Sequence, residues 1–298
     1  MRKLAIYIFL LLVALVACNK KDDSSTPETA SIEIVPEGLN IGVMPTIDCL
    51  PIYIAYDRGW LDEAGISVNL VPFTAHMDID TALVGKSLDG AFTELFRTEY
   101  ITKKQGVKFY YASTTELQWN LIANKDTRLT RLEQLGDKMI AMTRFSATDY
   151  LSDKAFADVK TQANVYRVQI NDIGVRYAML SNNQMDTGWL PEPLFTMAVL
   201  NGHRVLKPTK QKDKFGVLAF REKYSKTAEN KEKITQLMKV YDRACDSLNK
   251  YGFKSYAPEL LKYCSADTSV VNRLPKITYI HTEKPADETL AKVHEYLK

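Results

Sequence analysis

Apolar and polar positions alternate along this chain in a way that predicts strands and helices in turn. An apolar strand pattern over 39–44 is followed by a helical pattern over 50–58, with Asp48 as its expected N-cap and Gly59 as its end. Regular alternation of this kind predicts a parallel sheet covered by helices. The next predicted elements are strands at 67–73, 88–93 and 107–112 and helices at 78–86 and 95–104.

The strand and helix patterns begin again after residue 116, which predicts a second α/β unit. Polar breaks near 114–118 and 210–215 are the expected crossings between the two units. From Thr227 onward the pattern is helical, and a last helix is expected over 287–297. The second unit is predicted to contain strands at 119–123, 139–143, 165–170, 186–190 and 205–206 and helices at 147–159, 175–180 and 191–200, and a returning strand is expected at 215–220.

The N-terminus has the pattern of an export signal. Arg2 and Lys3 precede an apolar run over 6–16, which is too short to span a bilayer comfortably and fits a secretory signal. The run ends in LVAC, which looks like a bacterial lipobox, in which the chain is cut before the cysteine and its sulfur is lipidated. We therefore expect a signal peptide at 1–17, lipidation at Cys18 and a polar tether at 18–36. An ordinary signal peptide or a weak membrane anchor is the alternative interpretation.

The charge balance excludes a nucleic-acid partner. Once Arg2 and Lys3 have left with the signal peptide, 37 basic residues remain against 36 acidic ones. A nearly neutral surface without a basic stretch gives no electrostatic footprint for nucleic acid.

Three cysteines remain after Cys18, so at least one thiol is free in an oxidising compartment. Cys245 and Cys264 either pair with each other or remain separate buried thiols that act as small hydrophobic side chains. Cys49 has no general base nearby in the sequence, and it is better explained as a buried thiol at a helix start.

Signs of enzyme chemistry are missing from the sequence. There is no nucleophile elbow, no phosphate-binding glycine loop and no zinc-protease motif. The four histidines are scattered without metal-ligand spacing, and His76 is interpreted as a surface loop residue rather than a ligand contact. The sequence therefore predicts a protein without catalytic residues, cofactor or metal.

Three segments resemble a known family. They are IGVMPTIDCLPIYIAYDRGWLDEAGISVNLVPF at 41–73, ALVGKSLDGAFTEL at 82–95 and TGWLPEPLFTMA at 187–198. Their order and spacing resemble the NMT1/THI5-like and SsuA-like periplasmic solute-binding proteins. The resemblance implies a type II periplasmic-binding-protein fold, with two α/β lobes that close on a small ligand and deliver it to an ABC permease and its ATPase.

The two polar breaks set the expected lobe boundaries, and the lipobox sets the expected location of the protein. The first lobe would comprise 37–116 and, with the C-terminal helices, 213–298, while the second lobe would comprise 117–212. We expect a monomer that is attached to the bacterial cell envelope by its lipid alone, on the periplasmic face or exposed at the surface. Two alternatives are a surface or sensory solute-binding lipoprotein without a transporter, and an enzyme on the same fold resembling chorismate dehydratase. The latter enzymes are cytoplasmic, so the lipobox speaks against them.

Ligands of open α/β sheets bind outside the carboxyl ends of the strands. In this family they include sulfonates, nitrate and thiamine-pyrimidine precursors. Tyr53, Trp119 and Tyr150 are compatible with a flat heteroaromatic ligand or with plain core packing. The predicted ligand-binding residues, taken from loops that follow strands, are Thr46, Asp48, Cys49, Thr93, Glu94, Arg144, Ser146, Trp189 and Glu192.

Each predicted site residue has an expected role. Trp189 would stack on a flat ligand, Asp48 would accept a hydrogen bond from an amine, and Arg144 would meet an anionic group. A carboxylate at position 48 makes a sulfonate or nitrate less natural, because it competes for the same N–H groups. Alternatively, Asp48 and Ser146 cap helices, and Glu192 complements the dipole of the helix that follows it.

Overall fold

The computed structural model describes residues 38–207 and 214–298, and two five-stranded sheets form its framework. The strands are β1 (Leu39–Val43), β2 (Val68–Pro72), β3 (Gly90–Glu94), β4 (Phe109–Thr114), β5 (Asn120–Ala123), β6 (Met139–Met142), β7 (Tyr166–Gln169), β8 (Thr187–Leu190), β9 (Arg204–Lys207) and β10 (Gly216–Arg221).

Helices cover both sheets, and a group of them follows the last strand. The α-helices of the described chain are α1 (Leu50–Asp57), α2 (Trp60–Glu63), α3 (His76–Val84), α4 (Leu95–Gln105), α5 (Ala147–Phe156), α6 (Ile173–Ser181), α7 (Leu194–Leu200), α8 (Ala228–Tyr251), α9 (Ala257–Tyr263), α10 (Thr268–Val271) and α11 (Asp287–Tyr296). None of the described helices is long and apolar enough to cross a membrane.

Each sheet contains strands of both directions, so the predicted α/β class is confirmed while the purely parallel sheet is wrong. The first sheet has the order β2-β1-β3-β10-β4, in which β10 runs antiparallel to both of its neighbours. The second has the order β7-β6-β8-β5-β9, in which β5 is antiparallel to β8 and β9. The reason is connectivity: β5 and β10 each begin where the chain arrives from the other lobe, and they therefore run against the strands of their own lobe.

The chain crosses from the first sheet to the second over 115–119, between β4 and β5. The return falls largely on 208–213, outside the described residues. Two of the C-terminal helices pack on the first lobe, since α8 lies against α1 and α11 lies against α4. The boundaries at 116/117 and 212/213 remain a prediction, and the signal peptide and tether at 1–36 also lie outside the described residues.

Most predicted elements are present within a few residues of their expected bounds, but two predicted helix starts are wrong. Asp48 does not cap α1, because it lies inside a 3-10 turn, Ile47–Cys49, that precedes this helix. The helix expected from Pro191 begins at Leu194 instead. A residue before proline is disfavoured in the helical region, and Glu192 precedes Pro193. Gly59 follows α1 with a φ of 70°, as its predicted stop role requires.

The three cysteines of the described chain are all free and buried. Cys245 and Cys264 are therefore separate thiols rather than a disulfide. Cys49 is the buried thiol that the sequence predicted.

Candidate ligand-binding cleft

Loops that follow strands of the first sheet touch loops that follow strands of the second sheet. The amide N–H of Ile47 donates to the carbonyl of Glu192 at 3.2 Å. The amide N–H of Ile173, at the start of α6, donates to the carbonyl of Thr74 at 3.0 Å. Segments distant in sequence therefore meet at one interface, which is the place where ligands bind in open α/β sheets.

The loop after β1 places a buried carboxylate at this interface. Asp48 Oδ2 accepts a hydrogen bond from Thr115 Oγ1 at 3.1 Å, whereas Asp48 Oδ1 has no hydrogen-bond partner. Burial raises the pKa of Asp48 to about 6, although the nearby hydroxyls of Thr46 and Thr115 oppose the rise. Cys49 is fully buried, and its sulfur accepts the amide N–H of Met44 at 3.4 Å. This bond connects the two ends of the loop after β1.

A second buried carboxylate lies at the end of β3. Glu94 Oε1 accepts the amide N–H of Ala147, the first residue of α5 in the other lobe, at 3.2 Å. Its second oxygen, Oε2, has no partner, and neither has the hydroxyl of Thr93 beside it. Burial raises the pKa of Glu94 to about 7, against the lowering effects of Ala147 and Arg97.

Trp119 lies close to this carboxylate. Its indole N–H lowers the pKa of Glu94 somewhat, yet the pair falls outside hydrogen-bond geometry, so Trp119 Nε1 remains without a partner. The ring of His76 meets the Trp119 ring edge-on, with 6.0 Å between the centroids. His76 is buried rather than on the surface as predicted, and burial lowers its pKa to about 3, so it is neutral.

The predicted site residues of the second lobe lie in different environments. Ser146 caps α5, since its hydroxyl accepts the amide N–H of Thr148 at 3.0 Å, and the capping alternative is confirmed. Arg144 is exposed. Trp189 is buried within its own lobe, where its indole N–H donates to Ser152 Oγ at 2.9 Å. That bond uses the indole N–H of Trp189. Stacking of the Trp189 ring on a ligand stays a prediction.

Glu192 contacts the helix that follows it and also lines a cavity. Its Oε2 accepts the amide N–H of Thr196 in the first turn of α7 at 3.1 Å, as the helix-dipole alternative predicted. Its side chain also lines a cavity of about 200 Å³ at the interface. Asp48 and Glu116 line the same cavity, and burial raises the pKa of both Asp48 and Glu192.

Two buried arginines complete the interface, and sequence reasoning missed both. Arg97 pairs with Asp80 in the first lobe, with Nε 2.7 Å from Oδ2, and also donates to the carbonyl of Arg144 across the interface at 2.9 Å. Arg176 donates to the carbonyl of Trp189 at 2.7 Å and lies 5.5 Å from the centre of the Trp119 ring. Both arginines lie on helices whose polar residues normally face water, so no local sequence signal marked them.

Glu116 was also missed, although the rule used for the other loops applies to it. It follows β4 directly and is buried, with Lys214 Nζ 2.6 Å from its Oε1. The described residues contain no group of three or more His, Cys, Asp or Glu arranged to hold a metal ion. The arrangement can therefore offer buried carboxylate oxygens, an indole N–H and aromatic rings to a molecule bound between the lobes.

Comparison with known proteins places the chain in a family. Residues 34–261 match the NMT1-like family over most of the chain. The chain belongs to the NMT1-like family. The predicted family resemblance is thereby confirmed. A search of curated protein sequences found no match.

Solved structures confirm the two-lobed fold of this NMT1-like protein. The periplasmic aliphatic sulphonate binding protein SsuA from Escherichia coli is 17% identical, with a TM-score of 0.70 over 88% of this chain and 91% of that chain. The alkanesulfonate-binding protein SsuA from Xanthomonas axonopodis pv. citri, bound to MOPS, is 16% identical, with a TM-score of 0.71 over 88% and 91%. The periplasmic nitrate-binding protein NrtA from Synechocystis PCC 6803 is 13% identical, with a TM-score of 0.70 over 87% and 85%. At such identities the likeness establishes the fold and leaves the ligand open.

Proposed function

We propose that this NMT1-like protein is the substrate-binding lipoprotein of an ABC importer, which captures a small organic solute between its lobes. The observation that carries the proposal is the set of buried polar atoms without partners near the contacts between the two lobes. They include Asp48 Oδ1, Glu94 Oε2 and Trp119 Nε1. Buried polar groups are normally hydrogen-bonded, so such a set is expected where a bound molecule completes the bonds.

The interface favours a flat nitrogen-containing heteroaromatic solute over a sulfonate or nitrate. The start of α5 is the kind of helix N-terminus that attracts anions. However, Glu94 Oε1 already accepts the Ala147 amide N–H there, and Glu94 Oε2 and Asp48 Oδ1 add further acceptors. An anion would meet acceptors in place of donors, whereas ring N–H or amino groups would complete them.

The proposal includes the partners and the location of the protein. It acts as a monomer in the bacterial cell envelope, tethered through Cys18, and it delivers its solute to a permease and ATPase without performing chemistry itself. If the gene lies beside permease and ATPase genes, the importer role is supported. Their absence would favour a surface or sensory lipoprotein of the same fold without a transporter.

Ligand-driven closure is the direct test. The two lobes touch through several interface bonds, so we expect a bound solute to favour this arrangement and an unliganded protein to open about the 115–119 crossing. Small molecules that copurify with the protein should be released, identified by mass spectrometry and added back. Small-angle X-ray scattering should then give a smaller radius of gyration with the solute than without it. Equal radii at saturation would contradict hinge closure.

Lipid attachment is tested by replacing Cys18. Cys18→Ala should abolish incorporation of a labelled fatty acid and slow removal of the signal peptide, because the thiol is the acceptor in the LVAC site. Cys245→Ala is the matched control, since Cys245 is a buried thiol of α8 and should leave labelling unchanged. Labelling that persists in Cys18→Ala would show that the anchor is elsewhere.

A further inference from the structure

We propose that the cavity formed by Asp48, Glu116 and Glu192 is a subsite for a protonated amine, so that the solute carries an ammonium group on an apolar body. This inference rests on the proposed solute-binding function and specifies the chemistry of its ligand. The cavity lies beside the 115–119 crossing, between the loop after β1 and the start of α7.

The cavity is rich in hydrogen-bond acceptors. Asp48 and Glu116 are 3% and 2% exposed, yet Asp48 Oδ1 and Glu116 Oε2 have no hydrogen-bond partner. Their other oxygens are occupied by Thr115 and Lys214 respectively. Buried carboxylate oxygens are costly without a donor, and a donor group in the cavity that these residues line would reduce that cost.

The charges around the cavity do not balance. Three carboxylates and no basic residue line it among the described residues, and Lys214 reaches Glu116 Oε1 from outside the lining. Repulsion from Glu116 adds to the burial that raises the pKa of Asp48. A positive charge on the ligand relieves this repulsion and forms charge-assisted hydrogen bonds with the free oxygens.

The remaining walls decide between an organic cation and a metal ion. Ile47, Phe195 and Ile277 also line the cavity. An aromatic face and aliphatic side chains suit the carbon skeleton of an amine and a cation near Phe195. A hard metal ion needs several oxygen ligands around it, and the described residues contain no such group. The volume of about 200 Å³ is below that of a typical drug-sized site, so it fits the head of a small solute.

The location of Glu116 connects this subsite to closure. Glu116 lies on the crossing, Asp48 belongs to the first lobe and Glu192 belongs to the loop after β8 in the second sheet. The amide N–H of Ile47 already bonds to the carbonyl of Glu192 across the interface. An ammonium group bound in this cavity therefore contacts residues of both lobes beside the crossing, where it favours the closed arrangement.

The test compares benzylammonium with benzyl alcohol, which has a similar shape but no charge. Binding to the purified protein is measured by isothermal titration at pH 8, and ethanesulfonate and nitrate serve as anionic probes. We expect benzylammonium to bind at least about tenfold more tightly than benzyl alcohol. Asp48→Asn and Glu116→Gln should each reduce that preference about tenfold, because each removes one carboxylate from the cavity.

Control variants separate binding from folding. Asp89→Asn removes a carboxylate that pairs with Arg221 away from the cavity, and it should keep the preference for benzylammonium. Asp48→Asn should unfold no more easily than the wild type, because a neutral amide relieves the repulsion with Glu116. If Asp48→Asn fails to fold, Glu116→Gln still tests the subsite.

The possible results are distinct. Equal binding of the amine and the alcohol, or a preference that survives in both cavity variants, would overturn the subsite. Tight binding of ethanesulfonate or nitrate with lobe closure would overturn the subsite while leaving the solute-binding function standing. Absence of binding by every probe counts against the subsite, and the proposed function is then judged by whether the copurified solute closes the lobes.

Discussion

Replacement of Arg97 by methionine is expected to lower the free energy of unfolding by about 3–5 kcal/mol. Arg97 and Asp80 form a buried ion pair whose side chains are 5% and 8% exposed. The Asp80 carboxylate also has an oxygen, Oδ1, without a partner. Removal of the guanidinium leaves a buried carboxylate unpaired, which is among the costliest single changes in a protein interior.

Arg97→Met also removes bonds between the lobes. The guanidinium donates to the carbonyls of Arg144 and Phe145 at 2.9 and 3.4 Å. The ring of Phe145 stacks on Tyr100 with 4.5 Å between centroids, so the same helix contacts the second lobe in two ways. The variant is therefore expected to weaken lobe closure as well as the first lobe itself.

Urea denaturation at pH 7 and pH 4 measures the effect of Arg97→Met. Burial raises the pKa of Asp80 to about 6 even though Arg97 lowers it, so Asp80 becomes neutral at pH 4 and the penalty should shrink there. Arg243→Met is the matched control, because Arg243 and its partner Glu63 are more than half exposed, and it should cost about 1 kcal/mol or less. If both variants lose a similar free energy of unfolding, or if the loss in Arg97→Met does not depend on pH, Arg97 and Asp80 do not form a buried ion pair.

Glu94→Gln is expected to change the difference between the free energies of unfolding at pH 4 and pH 8 by about 3 kcal/mol. The pKa of Glu94 is raised from 4.5 to about 7, so the folded protein binds a proton at this group more tightly than the unfolded chain does. Stability from this group is therefore largest at low pH and declines as pH rises from 4.5 through 7. Glutamine cannot ionise, so the variant loses that decline.

Burial is the main cause of the raised pKa of Glu94, and neighbouring charged groups modify it. Arg97 and Asp80 act on it from its own lobe, and Arg176 acts on it from the second lobe. Urea denaturation of wild type and variant over the same pH range should show the difference, with the variant gaining relative stability above pH 7. Glu133→Gln, which changes an exposed glutamate, should follow the wild-type profile. Parallel profiles for Glu94→Gln and the wild type would show that the Glu94 carboxyl is not buried.

Local features of the site were accessible from the sequence because they depend on nearby residues. The order of strands and helices follows from hydrophobic periodicity, and Ser146 caps α5 because its hydroxyl reaches an amide two residues ahead. The loops after β1 and β3 were predicted from the rule that ligands meet the carboxyl ends of strands. The same rule applied to β4 would have found Glu116.

The tertiary structure decided the directions of β5 and β10, the burial of His76 and the place of Trp189. The direction of a strand depends on the lobe from which the chain arrives. The burial of a side chain depends on which other parts of the fold pack against it. Neither is encoded in a short window of sequence.

The sequence by itself determined the α/β class, the family resemblance and the loops that carry the candidate site, because periodicity and strand ends are local properties. Only the tertiary structure decided which charges meet. Lys214 and Glu116 are 98 residues apart, and Glu94 and Ala147 are 53 residues apart and come from different lobes. A carboxylate changes its pKa and its role only when packing removes its water and leaves an oxygen unpaired. That physical condition arises from the meeting of the two lobes.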